Sequence, residues 1–278
     1  MPAYHINSIS YKIFTEALSR YPATVPDKLR NLDTQRYETI PATAICEDGS
    51  ANLTKSMVET LVEWKLKHGT FRPKLLSLVQ SNDAASVLNI TTAAAEVAKT
   101  AAVADVQAGL KLLTQLRGVG PATASLLLSV LRPADVPFFS DELFRWCVWG
   151  EADGEAGWRR GIKYTAKEYG VVVEKVGELR RRLGVQRVQA VHVEKVAWVL
   201  GKERVDVGGG VGEEGGDDGF GGEELAGEGK RAVADEVGGK RRMQDLEDEN
   251  APPKKMPKKT VKSKEVSVGT RKSTRMKK

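Results

Sequence analysis

The chain has 278 residues, with 43 Lys and Arg against 37 Asp and Glu, a net charge of +6 and an apolar fraction of 41%. Two cysteines, Cys46 and Cys147, exclude a disulfide framework and any four-cysteine zinc or iron–sulfur site. No apolar run is long enough to span a bilayer, and Met1 to Arg20 lacks the apolar core of a signal peptide, so the sequence predicts a soluble intracellular protein.

The first fifty residues contain Pro22, Pro26 and Pro41, and the pattern supports one helix around Ile9 to Leu18. Leu53 to Lys67 places Met57, Val58, Leu61, Val62 and Leu66 on one face, with His68-Gly69 as its stop. Arg72 to Val79 reads as a short helix with Pro73 near its first turn. Ser81-Asn82-Asp83 can cap an Ala-rich helix running to about Ala102, and Asp105 can cap Val106 to Leu116. Val171 to Leu183 and Val188 to Leu200 close the helical part, with Gly184 and Gly201 at C-cap positions. Neither a strand pair nor a sustained heptad is evident. The expectation is an all-α, orthogonal helical domain over residues 1–203.

Beyond it the charge is uneven. Residues 204–229 carry roughly −7 and residues 230–278 roughly +9. The Gly-and-acid stretch from Val205 has little to bury against about 1–2 kcal/mol of backbone entropy per residue, and is expected to be a disordered linker. The Lys240-Arg241-Arg242 and Pro252 to Lys264 clusters form a basic, disordered tail that reads as nuclear localisation or as a solvated arm that scans nucleic acid, or else as a charged solubility tail.

The most informative segment is Leu112 to Leu128. A helix ends at Leu116, a Gly118-Val119-Gly120 turn follows, and Pro121 opens a second helix. Free N–H groups at such a turn suit one phosphate, aided by the helix dipole. Nineteen residues beyond Ala122 lies Asp141, in Val136-Pro137-Phe138-Phe139-Ser140-Asp141. The hairpin (110–131) and the Asp-bearing loop (133–149) together resemble the helix-hairpin-helix DNA glycosylase superfamily, the match covering about Leu110 to Trp149.

That resemblance implies duplex DNA as the partner, contacted through Gly118, Val119, Gly120, Ala122 and Thr123. It implies base excision with Asp141 stabilising an oxocarbenium-like sugar or activating a water. Ala122 stands where bifunctional members carry a nucleophilic lysine, which implies N-glycosidic hydrolysis without lyase activity. No four-cysteine cluster, metal or other cofactor is implied, and a monomer is expected.

The residues also admit plainer readings. Ser140-Asp141-Glu142 is an ordinary helix cap. Phe138, Phe139 and Trp146 line a base pocket or simply fill the core. Lys65, Lys67, Arg72, Lys74 and Arg117 grip phosphates or solvate helix ends, and Arg180-Arg181-Arg182 poses the same choice. Cys147 reads as a small buried apolar residue. The functional alternatives are a non-enzymatic DNA- or protein-binding module and an interaction scaffold in which the hairpin only turns a corner.

Overall fold

Apolar stripes at helical spacing give helices throughout the computed structural model, which describes residues 3–69, 72–151 and 157–208. In chain order these are α1 (Tyr11–Ser19), α2 (Tyr21–Thr24), α3 (Asp27–Thr34), a π-helical segment (Gln35–Thr39), α4 (Ile40–Ala44), α5 (Lys55–His68) and α6 (Leu75–Gln80). Next come α7 (Ala84–Val97), α8 (Val103–Leu113), α9 (Pro121–Leu131), α10 (Asp141–Cys147), α11 (Ala166–Leu183) and α12 (Ala190–Lys202). The described residues contain no strand, only one isolated bridge between Ile45 and Ala51. The domain is all-α.

The first fifty residues hold more helix than their proline content suggests. Pro22 sits in the first turn of α2, where a missing N–H costs no intrahelical bond, and Pro41 follows directly on the π-helical segment, which runs into α4 without a break. Pro26 instead precedes α3 as its extended N-cap. The Ala-rich helix ends at Val97, not near Ala102, because a 3-10 turn and the left-handed Ala101 (φ 56°) break it. Helix α8 therefore begins at Val103, and Asp105 lies inside its first turn. Helix α11 starts earlier than its apolar run, at a capping box of Thr165 and Glu168. Gly184 ends α11 with φ 101°, whereas Gly201 lies within α12, where an ideal Cβ would come 2.6 Å from Glu142 Cγ. There a glycine permits close packing of α12 on α10.

Helix α9 is the centre of the core, buried along nearly its whole length, with α4, α5, α7 and α8 packed around it. Helices α10, α11 and α12 pack on one another at one side. Packing continues past Glu203: Val207 is fully buried and the Trp158 indole donates to the Val205 carbonyl at 2.9 Å. The remainder of the acidic stretch and the whole basic tail lie outside the described residues.

The segment between α9 and α10 leads to Asp141, and its backbone is tied from three helices. Ser125 Oγ of α9 accepts from Phe139 N at 3.0 Å, and Tyr169 of α11 donates to the Pro137 carbonyl at 2.9 Å. Glu194 of α12 accepts from Phe138 N, and Ala190 N donates to the Ala134 carbonyl at 2.7 Å. Glu194 in turn pairs with Arg36 at 2.8 Å, both almost fully buried. Burial pushes Glu194 above the ordinary carboxylate range, and the Arg36 guanidinium opposes that shift.

Candidate functional site

The hairpin turn between α8 and α9 forms as its glycines allow. Gly118 has φ 76°, and an ideal Cβ there would lie 2.9 Å from Leu78 Cβ and 3.2 Å from Val79 N. Only glycine satisfies both the backbone and the packing on α6. Gly120 differs: its backbone is extended (φ −89°) and an added Cβ meets nothing within 4 Å. Asn82 fixes the turn from outside, its amide donating to the Arg117 carbonyl at 3.0 Å while Arg117 N donates to Asn82 Oδ1 at 2.8 Å. Of the Ser81-Asn82-Asp83 capping run, Asp83 takes the cap of α7, which leaves Asn82 for the turn. Val119 N is used by Leu116 and Thr123 N by Gly120, while the amides of Gly118, Gly120 and Ala122 have no intramolecular acceptor among the described residues.

Side chains at the turn contribute less than the motif suggests. Val119, Ala122 and Thr123 are buried, so their side chains pack inward and only backbone can meet a ligand there. Lys74 and Arg117 are exposed on the α6 and hairpin side.

Asp141 opens α10, but it is not the cap. Ser140 Oγ accepts from Leu143 N at 3.1 Å and fills that role. The Asp141 carboxylate is thereby left to other partners. Its Oδ1 accepts from the Tyr164 hydroxyl at 2.7 Å, and its Oδ2 lies 3.6 Å from the Arg145 guanidinium, with 37% of the side chain exposed. Tyr164 holds this position with φ 54°, a left-handed backbone that is unfavourable for a bulky side chain. Burial, then the hydrogen bond to Asp141, pushes the Tyr164 hydroxyl above its ordinary range, so it stays a donor.

Two of the basic residues singled out from the sequence belong to the same neighbourhood. Burial and the charge of Arg72 hold the half-buried Lys65 ammonium below its ordinary range, against the opposing pull of Asp141. Lys67 instead pairs with Glu63 at 2.7 Å on the exposed face of α5. Thr70 and Phe71, between them, lie outside the described residues.

Several residues here carry no signal in the sequence that would mark them as site candidates. His68 lies against Trp64 (ring centroids 4.3 Å) and Trp198 (4.1 Å), and burial followed by the charges of Arg36, Lys202 and Lys65 keeps it neutral. Glu142 is pushed above the usual carboxylate range by burial, beside Asp141. Tyr164 belongs to no motif, and nothing local marks it.

Of the two readings of Phe138, Phe139 and Trp146, a base pocket or core, their burial favours the core. All three are buried core residues. Phe139 packs between Phe144, Tyr164 and Tyr169, Phe138 against Trp64, and the Trp146 indole donates to the Tyr4 carbonyl at 2.9 Å. In the triple-arginine run, Arg180 bonds the Val188 carbonyl and Asp135, and Arg182 bonds the carbonyls of Ile6 and Ile9. Structural bonds thus occupy two of the three. Cys147 is buried, as a small apolar residue would be.

No group of three or more His, Cys, Asp or Glu side chains suited to a metal occurs among the described residues, and no helix there is long and apolar enough to cross a membrane. Comparison with family models, curated proteins and solved structures gives no match.

Proposed function

We propose that residues 1–208 bind duplex DNA through the Gly118–Ala122 turn and hydrolyse an N-glycosidic bond at Asp141, in the manner of a monofunctional helix-hairpin-helix DNA glycosylase. The observation that carries the reading is the division of labour at α10. Ser140 caps the helix, so Asp141 is not needed for that, yet a left-handed tyrosine is spent on orienting its carboxylate. A fixed carboxylate is what a positively charged sugar requires as its base departs, because its field is in place before the charge develops.

On the binding side, the amides of Gly118, Gly120 and Ala122 lack an acceptor among the described residues, which leaves them for a phosphate at the N-terminal end of the α9 dipole. The steric freedom at Gly120 supports the same reading. No described residue requires glycine there, whereas a closely approaching phosphate would. Lys65 and Arg72 would then meet the strand carrying the target sugar, and the basic tail would add sequence-independent attraction and direct the protein to the nucleus.

The burial of Phe138, Phe139 and Trp146 favours a second reading, a non-enzymatic DNA-binding module, since none of the three is open to stack on an extruded base. Full-length protein incubated with duplexes carrying uracil, alkylated, oxidised or mismatched bases, then treated with alkali, separates the two. Base release lost in Asp141→Asn supports the enzyme. DNA binding without release from any substrate supports the module.

A further inference from the structure

A second candidate site lies away from Asp141, where α2, α3, the π-helical segment and α12 meet. Here a cavity of about 280 Å³ is lined by Tyr21, Val25, Asp33, Tyr37, Glu38 and Lys195, among others. The two tyrosine rings form a corner, with centroids 5.9 Å apart and planes at 86°. Into that corner the chain places its own ammonium group: Lys195 Nζ stands 4.0 Å from the Tyr37 centroid and 4.9 Å from that of Tyr21.

Lys195 has no hydrogen bond or ion pair among the described residues, so the ring faces hold it most closely, with Asp33, Glu194 and Glu38 attracting it from farther off and Arg36 opposing them. The charges around it are uneven. Asp33 is buried and receives only neutral donors, the Tyr21 hydroxyl at 2.9 Å and the Trp64 indole at 3.1 Å. Glu38 is exposed at the rim without an ion pair, and Arg30 is engaged by Asp27 at 2.8 Å. With Lys195 swung outward on its flexible stem, the cavity would present two aromatic faces and two carboxylates to solvent. Such surroundings select a cation, and a weakly hydrated one above all, because cation–π attraction grows as the desolvation cost falls.

The π-helical segment is the device that builds the corner. Its wider turn, a form common at functional sites, directs Arg36 inward to Glu194 and leaves Tyr37 and Glu38 along the cavity. Burial also draws the Lys195 ammonium below its ordinary range, as expected of a cation held chiefly by rings.

We propose that this corner is a binding site for a methylated ammonium group, with Lys195 as a built-in occupant that the ligand displaces. Quaternary ammonium on a small solute and trimethyl-lysine on a protein tail share this chemistry, and the proposal does not depend on the DNA reading.

The test uses the full chain with Lys195→Met, titrated calorimetrically with choline and with a trimethyl-lysine peptide. Removing the internal competitor should tighten binding about tenfold relative to the unmodified chain, since a larger fraction is then open to ligand. A preference for the peptide assigns the site to a protein tail, and a preference for choline to a free solute. Glu38→Gln, at an exposed position, should weaken binding several-fold. Tyr37→Leu in the same background should abolish it while a cooperative melting transition persists. Absence of saturable binding to Lys195→Met overturns the proposal. Equal binding of 3,3-dimethylbutanol, the uncharged analogue of choline, overturns it as well.

Discussion

Two arginine–carboxylate pairs lie on either side of the segment that leads to α10, and they are built differently. Arg36 and Glu194 meet at 2.8 Å with side chains 2% and 3% exposed, and Glu194 also holds the Phe138 amide. Arg145 and Asp141 stand 3.6 Å apart with side chains 23% and 37% exposed, and the tightest bond to Asp141 comes from Tyr164. The first pair is enclosed and dry, which suits a structural tie. In the second, a carboxylate is oriented but left reachable, which suits chemistry.

Breaking the buried pair should therefore produce the largest effect. Glu194→Ala strands a buried guanidinium and frees the Phe138 amide, and should cost about 3–5 kcal/mol in urea denaturation. A loss below about 1 kcal/mol would erase the distinction between the pairs. Next comes Gly118→Ala, where left-handed strain and the Leu78 clash should cost about 2 kcal/mol. Its neighbour sharpens the point: Gly120→Ala should cost under about 1 kcal/mol yet weaken duplex binding, measured by fluorescence anisotropy.

At α10, Ser140→Ala should lose about 1 kcal/mol of stability, whereas Asp141→Asn should leave the melting temperature almost unchanged. Comparable losses from the two variants would make Asp141 structural after all. The smallest effect is acid sensitivity from His68. The folded chain holds it neutral, while the unfolded imidazole takes a proton below its ordinary pKa of about 6.5. Stability should thus fall as pH drops below that value, and His68→Phe should flatten this limb of the stability–pH curve.

The elements around the hairpin are legible in the sequence because their signals are local. Apolar spacing marks α5, glycine placement marks the turn, and Ser140 marks α10 within a residue. Helix boundaries are misread where a distant contact decides them. Gly201 reads as a stop, yet it is a point of close packing on Glu142, a residue 59 positions away. Asp141 is legible as a residue and ambiguous as a role, since a cap and a catalyst share the same local sequence. The partners that separate those roles, Tyr164 and Arg145, differ in visibility. Arg145 lies at helical spacing from Asp141, whereas Tyr164 arrives through a loop with no periodic cue. The buried Arg36–Glu194 tie joins positions 158 apart, and no pattern in one chain announces such a pair.

That long-range tie also has a consequence for the order in which the protein matures during synthesis. The hairpin helices, and the helices α4, α5 and α7 packed on α9, are all complete once residue 131 has been made. The segment carrying Asp141, by contrast, is anchored by Tyr169, Ala190 and Glu194, which leave the ribosome later. A nascent or prematurely terminated chain ending before α12 would therefore possess the turn without a settled carboxylate and, under the proposed function, would hold a phosphate while leaving the sugar beside it untouched.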